Sequence, residues 1–359
     1  MADNFEIREI KDSEFIDVCH FHKKYYGARR PLEVWNWEYR DIHPGKSVLT
    51  VAKDGDKIVG TLGMIPIYLN IHGKKYLSAK SESKLIDINY RGKQLSPKLH
   101  DQSVKMGINN GISFIWGNTS FLKAIRKSKY QIYPDLMKWA VLPIKIETTK
   151  LAIESQKTSK MKSALFSVVI PLGCVYSSIR RFIKKNGFKN KANYELLKKT
   201  KSGNDVEMFF ERLRRKYPTL IHIDQDETYI NWRMYNNPRK KRITYFVYLK
   251  DSLVGYVYLT IYKNILEITD FTFENQEVGH FLLKNIMNYI NQNRIGFVKY
   301  YGNAKNQLNQ EVFKILRFYG FISIKRVDAF LIRNLVYPDE NELNQIQDWY
   351  ITPLWGEGV

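Results

Sequence analysis

Asn89-Tyr90-Arg91-Gly92-Lys93-Gln94-Leu95-Ser96 is the stretch whose reading decides the fold of this 359-residue chain. It follows an alternating run over 75–88 and precedes a helix-like stretch, so the pattern predicts a strand that turns directly into a helix. Glycine at 92 lets backbone N–H groups approach anionic oxygens with no Cβ in the way, and the following helix points its positive end at the same spot. The junction reads as an anion cradle suited to a diphosphate; taken alone, it reads more simply as an ordinary basic turn.

Outward from the cradle the chain repeats itself. Asn36-Trp37 recurs as Asn231-Trp232 and Ile58-Val59-Gly60 as Leu253-Val254-Gly255, both at an offset of 195 residues. Pro44 and Pro238 close the first block of each copy, Gly117-Asn118 resembles Gly302-Asn303, and Lys129-Tyr130 stands where Gly320-Phe321 ends the second copy. The ordered set implies duplication of a unit of about 130 residues, with 145–202 inserted between the copies. In the first copy, strands are expected over 47–53 and 57–71 around the turn Asp54-Gly55-Asp56, then a strand over 75–88, a helix over 95–109, a strand over 112–116 and a helix over 121–129. The second copy repeats the order and ends in a single strand over 322–333. A meander followed by helix, strand, helix and strand gives an α+β unit with a mixed sheet.

Length favours two domains, and a 44% hydrophobic, 26% charged composition describes globular rather than disordered chain. Two cysteines, Cys19 and Cys174, without ligand spacing suggest neither a disulfide framework nor zinc, and fit a reducing cytoplasm. The first ten residues lack the apolar core of a secretion signal. Net charge is +21, and over 145–201 fourteen Lys or Arg face three acids, Glu147, Glu154 and Glu195. Within that insert, 164–179 is nearly apolar and flanked by basic residues, too short for a span of about twenty residues but suited to a membrane surface. A buried helix with a solvated basic end fits the same pattern.

The element order, with the cradle in the first copy, resembles the GNAT superfamily of acyl-CoA-dependent N-acyltransferases. In that family the loop runs Gln/Arg-x-x-Gly-x-Gly/Ala; Tyr90-Arg91-Gly92-Lys93 and Leu95 match, whereas Asn89, Gln94 and Ser96 depart from the pattern. The resemblance implies an α+β (α/β sandwich) class with two GNAT-like domains, mixed central sheets and flanking helices. Their expected bounds are 1–144 with the CoA site, a basic insert 145–202, 203–337 without a CoA loop, and a tail 338–359. The second junction, Phe273-Glu274-Asn275-Gln276-Glu277-Val278, has no glycine and two carboxylates that would repel a diphosphate. Asp348-Trp349-Tyr350-Ile351-Thr352 resembles the tail of tandem GNAT proteins encoded with bacterial surface-polysaccharide enzymes. Acetyl-CoA or another acyl-CoA is implied as cosubstrate, with no metal. Its expected contacts are the main chain of Ile86 and Ile88, the loop Arg91, Gly92, Lys93, Gln94, Leu95 and Ser96, and Asn118 after the fifth strand.

Acyl transfer to an amine needs a neutral amine, a donor for the developing oxyanion and a proton for the departing thiolate. Glu82 is the candidate base or water-positioning group, or else a solvated edge residue. His43 is a second candidate near the acceptor, with a structural His-Pro turn as its alternative. Tyr130 is a candidate proton donor to sulfur, or a core residue. Trp35/Trp37/Tyr39 and Tyr229/Trp232/Tyr235 suit either sugar stacking or stapling of each repeat. The implied acceptor is an amino sugar or other cell-envelope precursor, small or lipid-linked, met in the cytoplasm or at the inner membrane face, with peripheral contact through 160–185. The charge also fits a Fem-type transferase using aminoacyl-tRNA, and the altered loop fits a non-catalytic scaffold for membrane or nucleic acid.

Overall fold

The computed structural model describes residues 5–27, 30–42, 44–120, 122–125, 128–154, 170–180, 192–199, 203–238, 241–326 and 328–356. The chain runs β1 (Glu6–Glu9), α1 (Phe15–Tyr26), α2 (Leu32–Tyr39), β2 (Val48–Asp54), β3 (Lys57–Ile71), β4 (Lys74–Ile86), α3 (Leu95–Asn109), β5 (Phe114–Thr119) and α4 (Leu122–Ile125). It continues through β6 (Gln131–Tyr133), β7 (Met137–Pro143), α5 (Ile146–Glu154), α6 (170–180), β8 (Glu195–Lys199), α7 (Asp205–Lys216), β9 (Ile221–Ile223) and α8 (Glu227–Ile230). Then follow β10 (Lys241–Leu249), β11 (Ser252–Tyr262), β12 (Ile265–Phe273), α9 (Gln276–Gln292), β13 (Phe297–Asn303), α10 (Gln307–Phe318), β14 (Ile322–Lys325), β15 (Ala329–Asn334) and α11 (Glu340–Asn344).

Two compact units result, and neither is a contiguous half of the sequence. The first comprises Met1–Pro134, Ile221–Arg239 and Asp328–Gln345; the second comprises Asp135–Leu220, Lys240–Val327 and Ile346–Val359. The first sheet runs β1-β2-β3-β4-β5-β15-β6, with β9 pairing β3, and the second runs β14-β7-β13-β12-β11-β10-β8. Thus β15 completes the first sheet beside β5, and β7 completes the second beside β13. The division differs from the expected bounds 1–144 and 203–337 for this reason. The expected single strand over 322–333 is two strands, one in each sheet. An exposed ladder edge needs backbone partners, and these can come from distant sequence.

In the first unit α3 buries Leu95, Leu99, His100, Ser103 and Gly107, a stripe at helical spacing. Leu95 and Leu99 pack with Ala52, Val59 and Leu62 of the sheet. In the second unit α9 buries Val278, Leu282, Leu283, Ile286 and Ile290 against β11 and β12. Each sheet also holds a parallel pair that parts early. In the first, β4 and β5 pair from Ser78–Phe114 to Lys80–Trp116; in the second, β12 and β13 pair from Ile265–Phe297 to Glu267–Lys299. Beyond those pairs each sheet opens into a wedge.

Candidate active site

The wedge of the first unit is shaped by an irregularity in β4. Its register against β3 shifts between Thr61 and Gly63, so that Thr61 faces Leu85 and Gly63 faces Glu82. Ser83 has φ of +54°. Its carbonyl accepts the Thr61 hydroxyl at 2.8 Å, while its hydroxyl accepts Arg30 Nη1 and Tyr39 OH, both at 2.7 Å. Three bonds hold a conformation that an isolated serine would leave. The consequence is directional: Glu82 and Ser83 both face α1 and α2, and Lys84 is turned toward α3, where its Nζ meets His100 Nε2 at 3.0 Å. Gly117 marks the apex, since a Cβ there would lie 3.4 Å from the Ser81 carbonyl oxygen.

Past the wedge, Asp87 organises the exit of the strand. Its N–H bonds Val59 O at 2.9 Å, and its carboxylate accepts Asn89 N–H at 3.0 Å and pairs with Lys24 at 3.3 Å. Burial opposes ionisation of this carboxyl, but the Asn89 N–H, Tyr25 and Lys24 outweigh it and hold its pKa below the usual value. Because Asp87 and Leu85 face β3 in the ladder, the N–H and C=O of Ile86 between them point away from β3. Ile88 lies in a 3-10 turn rather than in the strand, and its N–H is 3.4 Å from Tyr25 OH. The loop then bends at Gly92 with φ of +88°, and Gln94 adopts the left-handed region at +58°. Helix α3 begins there without a side-chain cap, and Arg91, Gly92, Lys93 and Gln94 are all exposed. An uncapped helix N-terminus beside exposed cations favours negative charge nearby.

Three polar atoms on the elements around the wedge have no hydrogen-bond partner among the described residues, Ser96 Oγ, His100 Nδ1 and Asn118 Oδ1, and the buried Tyr130 phenol has the Ser81 side chain as its polar neighbour. Ser96 and His100 are one turn apart on α3, and the His100 ring lies edge-on to Tyr130 with centroids 5.6 Å apart. Burial drives the His100 pKa down to about 3 and that of Lys84 to about 8, Lys84 and Arg333 adding to the effect on His100. An ammonium can only donate, so His100 Nε2 accepts from Lys84 and the ring proton sits on the unpartnered Nδ1. Burial raises the Tyr130 phenol pKa and keeps it protonated.

The expected site residues are therefore gathered in part. Gly92 through Ser96 form one loop and helix start, and Asn118 lies on β5. Tyr130 is in the core on the α3 side, packed with Ile112, Ile115 and Leu331. Glu82 faces the opposite side of the sheet, ion-paired to Lys80 at 2.6 Å. His43 lies outside the described residues. The aromatic patches are staples: Trp37 and Trp232 stack at 4.9 Å, each indole N–H donating to the other's carbonyl at 2.9 Å, and Trp35 stacks on Tyr39. Sequence reasoning missed Lys84, His100 and Asp87. Among the described residues no group of three or more His, Cys, Asp or Glu is placed to hold a metal ion.

The corresponding places in the second unit are filled. Asn275 caps α9 through a bond from Val278 N–H at 3.1 Å, and Glu274 pairs with Arg212 at 2.7 Å. The wedge between β12 and β13 holds the segment 346–356. Asn303 donates to the carbonyls of Ile346 and Trp349 at 2.7 and 2.8 Å, and Asn309 donates to Ile351 O at 2.9 Å. Tyr350 OH reaches Phe271 O at 2.9 Å and Asp270 at 3.2 Å.

Comparisons with known proteins agree with this architecture. Residues 6–132 match the family described as Acetyltransferase (GNAT) domain. A protein of Amsacta moorei entomopoxvirus named "Putative glycylpeptide N-tetradecanoyltransferase" is 28% identical over 110 residues, 31% of this chain and 37% of that protein. The match thus spans little more than a third of that relative's length. Among solved structures, a "Probable N-Acyltransferase" of Enterococcus faecalis V583 is similar with a TM-score of 0.60 at 10% identity, covering 93% of this chain and 73% of that one. Saccharomyces cerevisiae N-myristoyltransferase with bound myristoyl-CoA gives 0.56 at 13% identity, covering 92% and 83%. The fold is that of the GNAT N-acyltransferases, with two GNAT-like domains of mixed sheets flanked by helices.

Proposed function

We propose that the chain is an acyl-CoA-dependent N-acyltransferase whose donor binds in the first unit. The observation that carries this reading is the contrast between equivalent asparagines. Asn303 spends its amide on peptide carbonyls lying in the second wedge, whereas Asn118 Oδ1 at the matching position of the first is unpartnered among the described residues. A pantetheine arm, itself a chain of amides, offers the first wedge what segment 346–356 offers the second. In this reading the amides from Gly92 to Ser96 and the side chains of Arg91 and Lys93 hold the diphosphate, with Leu95 seating the helix in the core. The inward N–H of Ile86 faces the thioester oxygen, and Ile88, tied toward Tyr25, supports the turn. Acyl-CoA supplies an activated carbonyl. A neutral amine attacks it, the C–N bond forms as the C–S bond breaks, and one amine proton ends on sulfur. The Tyr130 phenol is the proposed donor to the thiolate and Glu82, or His43, the proposed acceptor of the amine proton, which the base then returns to the Tyr130 phenolate through solvent, so that the net transfer is from amine to sulfur.

The acceptor is a primary amine. The resemblance to tandem GNAT proteins points to an amino sugar or cell-envelope precursor, small or lipid-linked; the name of the entomopoxvirus relative favours a second reading, a peptide N-terminal glycine and a long acyl chain. Thiol release from acetyl-CoA and myristoyl-CoA, measured with amino sugars and with glycyl peptides, tests both. Turnover that falls at least about tenfold in Tyr130→Phe supports the proposal. Absence of turnover with every pair, alongside charging-dependent transfer from aminoacyl-tRNA, would replace it with the Fem-type reading.

A further inference from the structure

We propose that the exposed face of α6 is a docking surface for an anionic lipid bilayer. The helix, residues 170–180, lies on the second unit by its small residues. Gly173 fits against Pro143 and Ile322, where a Cβ would come within 3.3–3.4 Å, and Ser177 Oγ donates to Gly320 O at 3.0 Å. Ile170 and Cys174 are buried on the same side. That arrangement leaves the larger apolar side chains outward. Leu172, Val175, Tyr176 and Ile179 are 64, 55, 43 and 54% exposed, and their i, i+3, i+4, i+7 spacing makes them one stripe. Ile324, 49% exposed, alternates onto the same face of edge strand β14 as Ile322, the residue beneath Gly173.

Charge identifies the occupant. From residue 155 to 194 the sequence contains nine Lys or Arg and no Asp or Glu, and Arg180, the last described residue of α6, lies beside the Tyr176 ring. A stripe of large apolar side chains flanked by cations of one sign matches the headgroup boundary of an acidic bilayer, where apolar groups enter and cations meet lipid phosphate and carboxylate. A nucleic acid would use the cations and leave the stripe in water; a second copy of this chain would bring an equally positive surface. No described helix is long and apolar enough to cross a membrane, and the contact proposed is a peripheral one. This surface does not depend on the acyl-transfer reading.

Co-sedimentation of the full chain with vesicles of phosphatidylcholine, alone or with about one-third phosphatidylserine, is the test. Binding to the acidic vesicles is expected to exceed binding to neutral ones at least about tenfold and to weaken with salt. Leu172→Ser/Val175→Ser/Ile179→Ser should lower it about tenfold with the circular dichroism and melting temperature retained. Leu172→Ser alone, at the most exposed position, should lower it a few fold. Wild type that fails to bind, or variants that bind as wild type does, would overturn the proposal. So would tighter binding to tRNA than to vesicles at equal salt, or loss in the variant of a wild-type dimer seen by ultracentrifugation.

Discussion

Gln94 occupies a left-handed position that costs an L-residue about 1 kcal/mol, and it does so at the start of α3, the mouth of the proposed anion cradle. Gln94→Gly should relieve that strain and clear the helix N-terminus, so acyl-CoA should bind several-fold more tightly with stability unchanged or slightly raised; weaker binding would contradict this. Lys84 and His100 make a second residue-scale prediction. Both are bases whose folded pKa lies below the unfolded value, so the folded chain binds fewer protons and stability rises with pH across each interval. For His100 that interval runs from about 3 to 6.5, and for Lys84 from about 8 to 10.5. Stability is therefore lost as pH falls through the His100 range. Lys84→Met should be more stable than wild type at pH 7, with the advantage shrinking toward pH 10; denaturant midpoints at the two pH values check this. Gly92 was legible in the sequence because glycine in a basic strand-to-helix turn has a local meaning. The Lys84–His100 contact was not, because a bulge set by Thr61, Tyr39 and Arg30 turns Lys84 toward α3.

Helix α2 and the turn following α8 meet through the two copies of the Asn-Trp motif. Each indole donates to the other's backbone, so the pair should couple beyond its buried area by about 1–3 kcal/mol. A double-mutant cycle with Trp37→Phe and Trp232→Phe measures it, and coupling near zero would contradict the reciprocal bonds. The 195-residue offset announced the repeat but not that its copies touch. Helix α3 was legible to the residue because its apolar spacing is regular and its start is marked by Gly92. The exchange of β7 and β15 between sheets was hidden, since both are short apolar strands that fit either ladder and nothing local names the partner. The aromatic runs likewise could not show which side faced water.

Across the whole molecule the proposed donor site is the wedge of the first unit, whereas the wedge of the second holds the chain's own segment 346–356. Tyr350→Phe removes a donor from the buried Asp270 carboxylate and from Phe271 O, so it should destabilise by about 1–3 kcal/mol without altering acyl-CoA affinity. Thermal unfolding beside ligand titration separates the two effects. Titration calorimetry of acyl-CoA into wild type and Gly92→Glu tests the central claim most directly. One molecule bound per chain, lost when a carboxylate enters the cradle, is the predicted result. Two bound per chain, or one bound with affinity unchanged in Gly92→Glu, would contradict it.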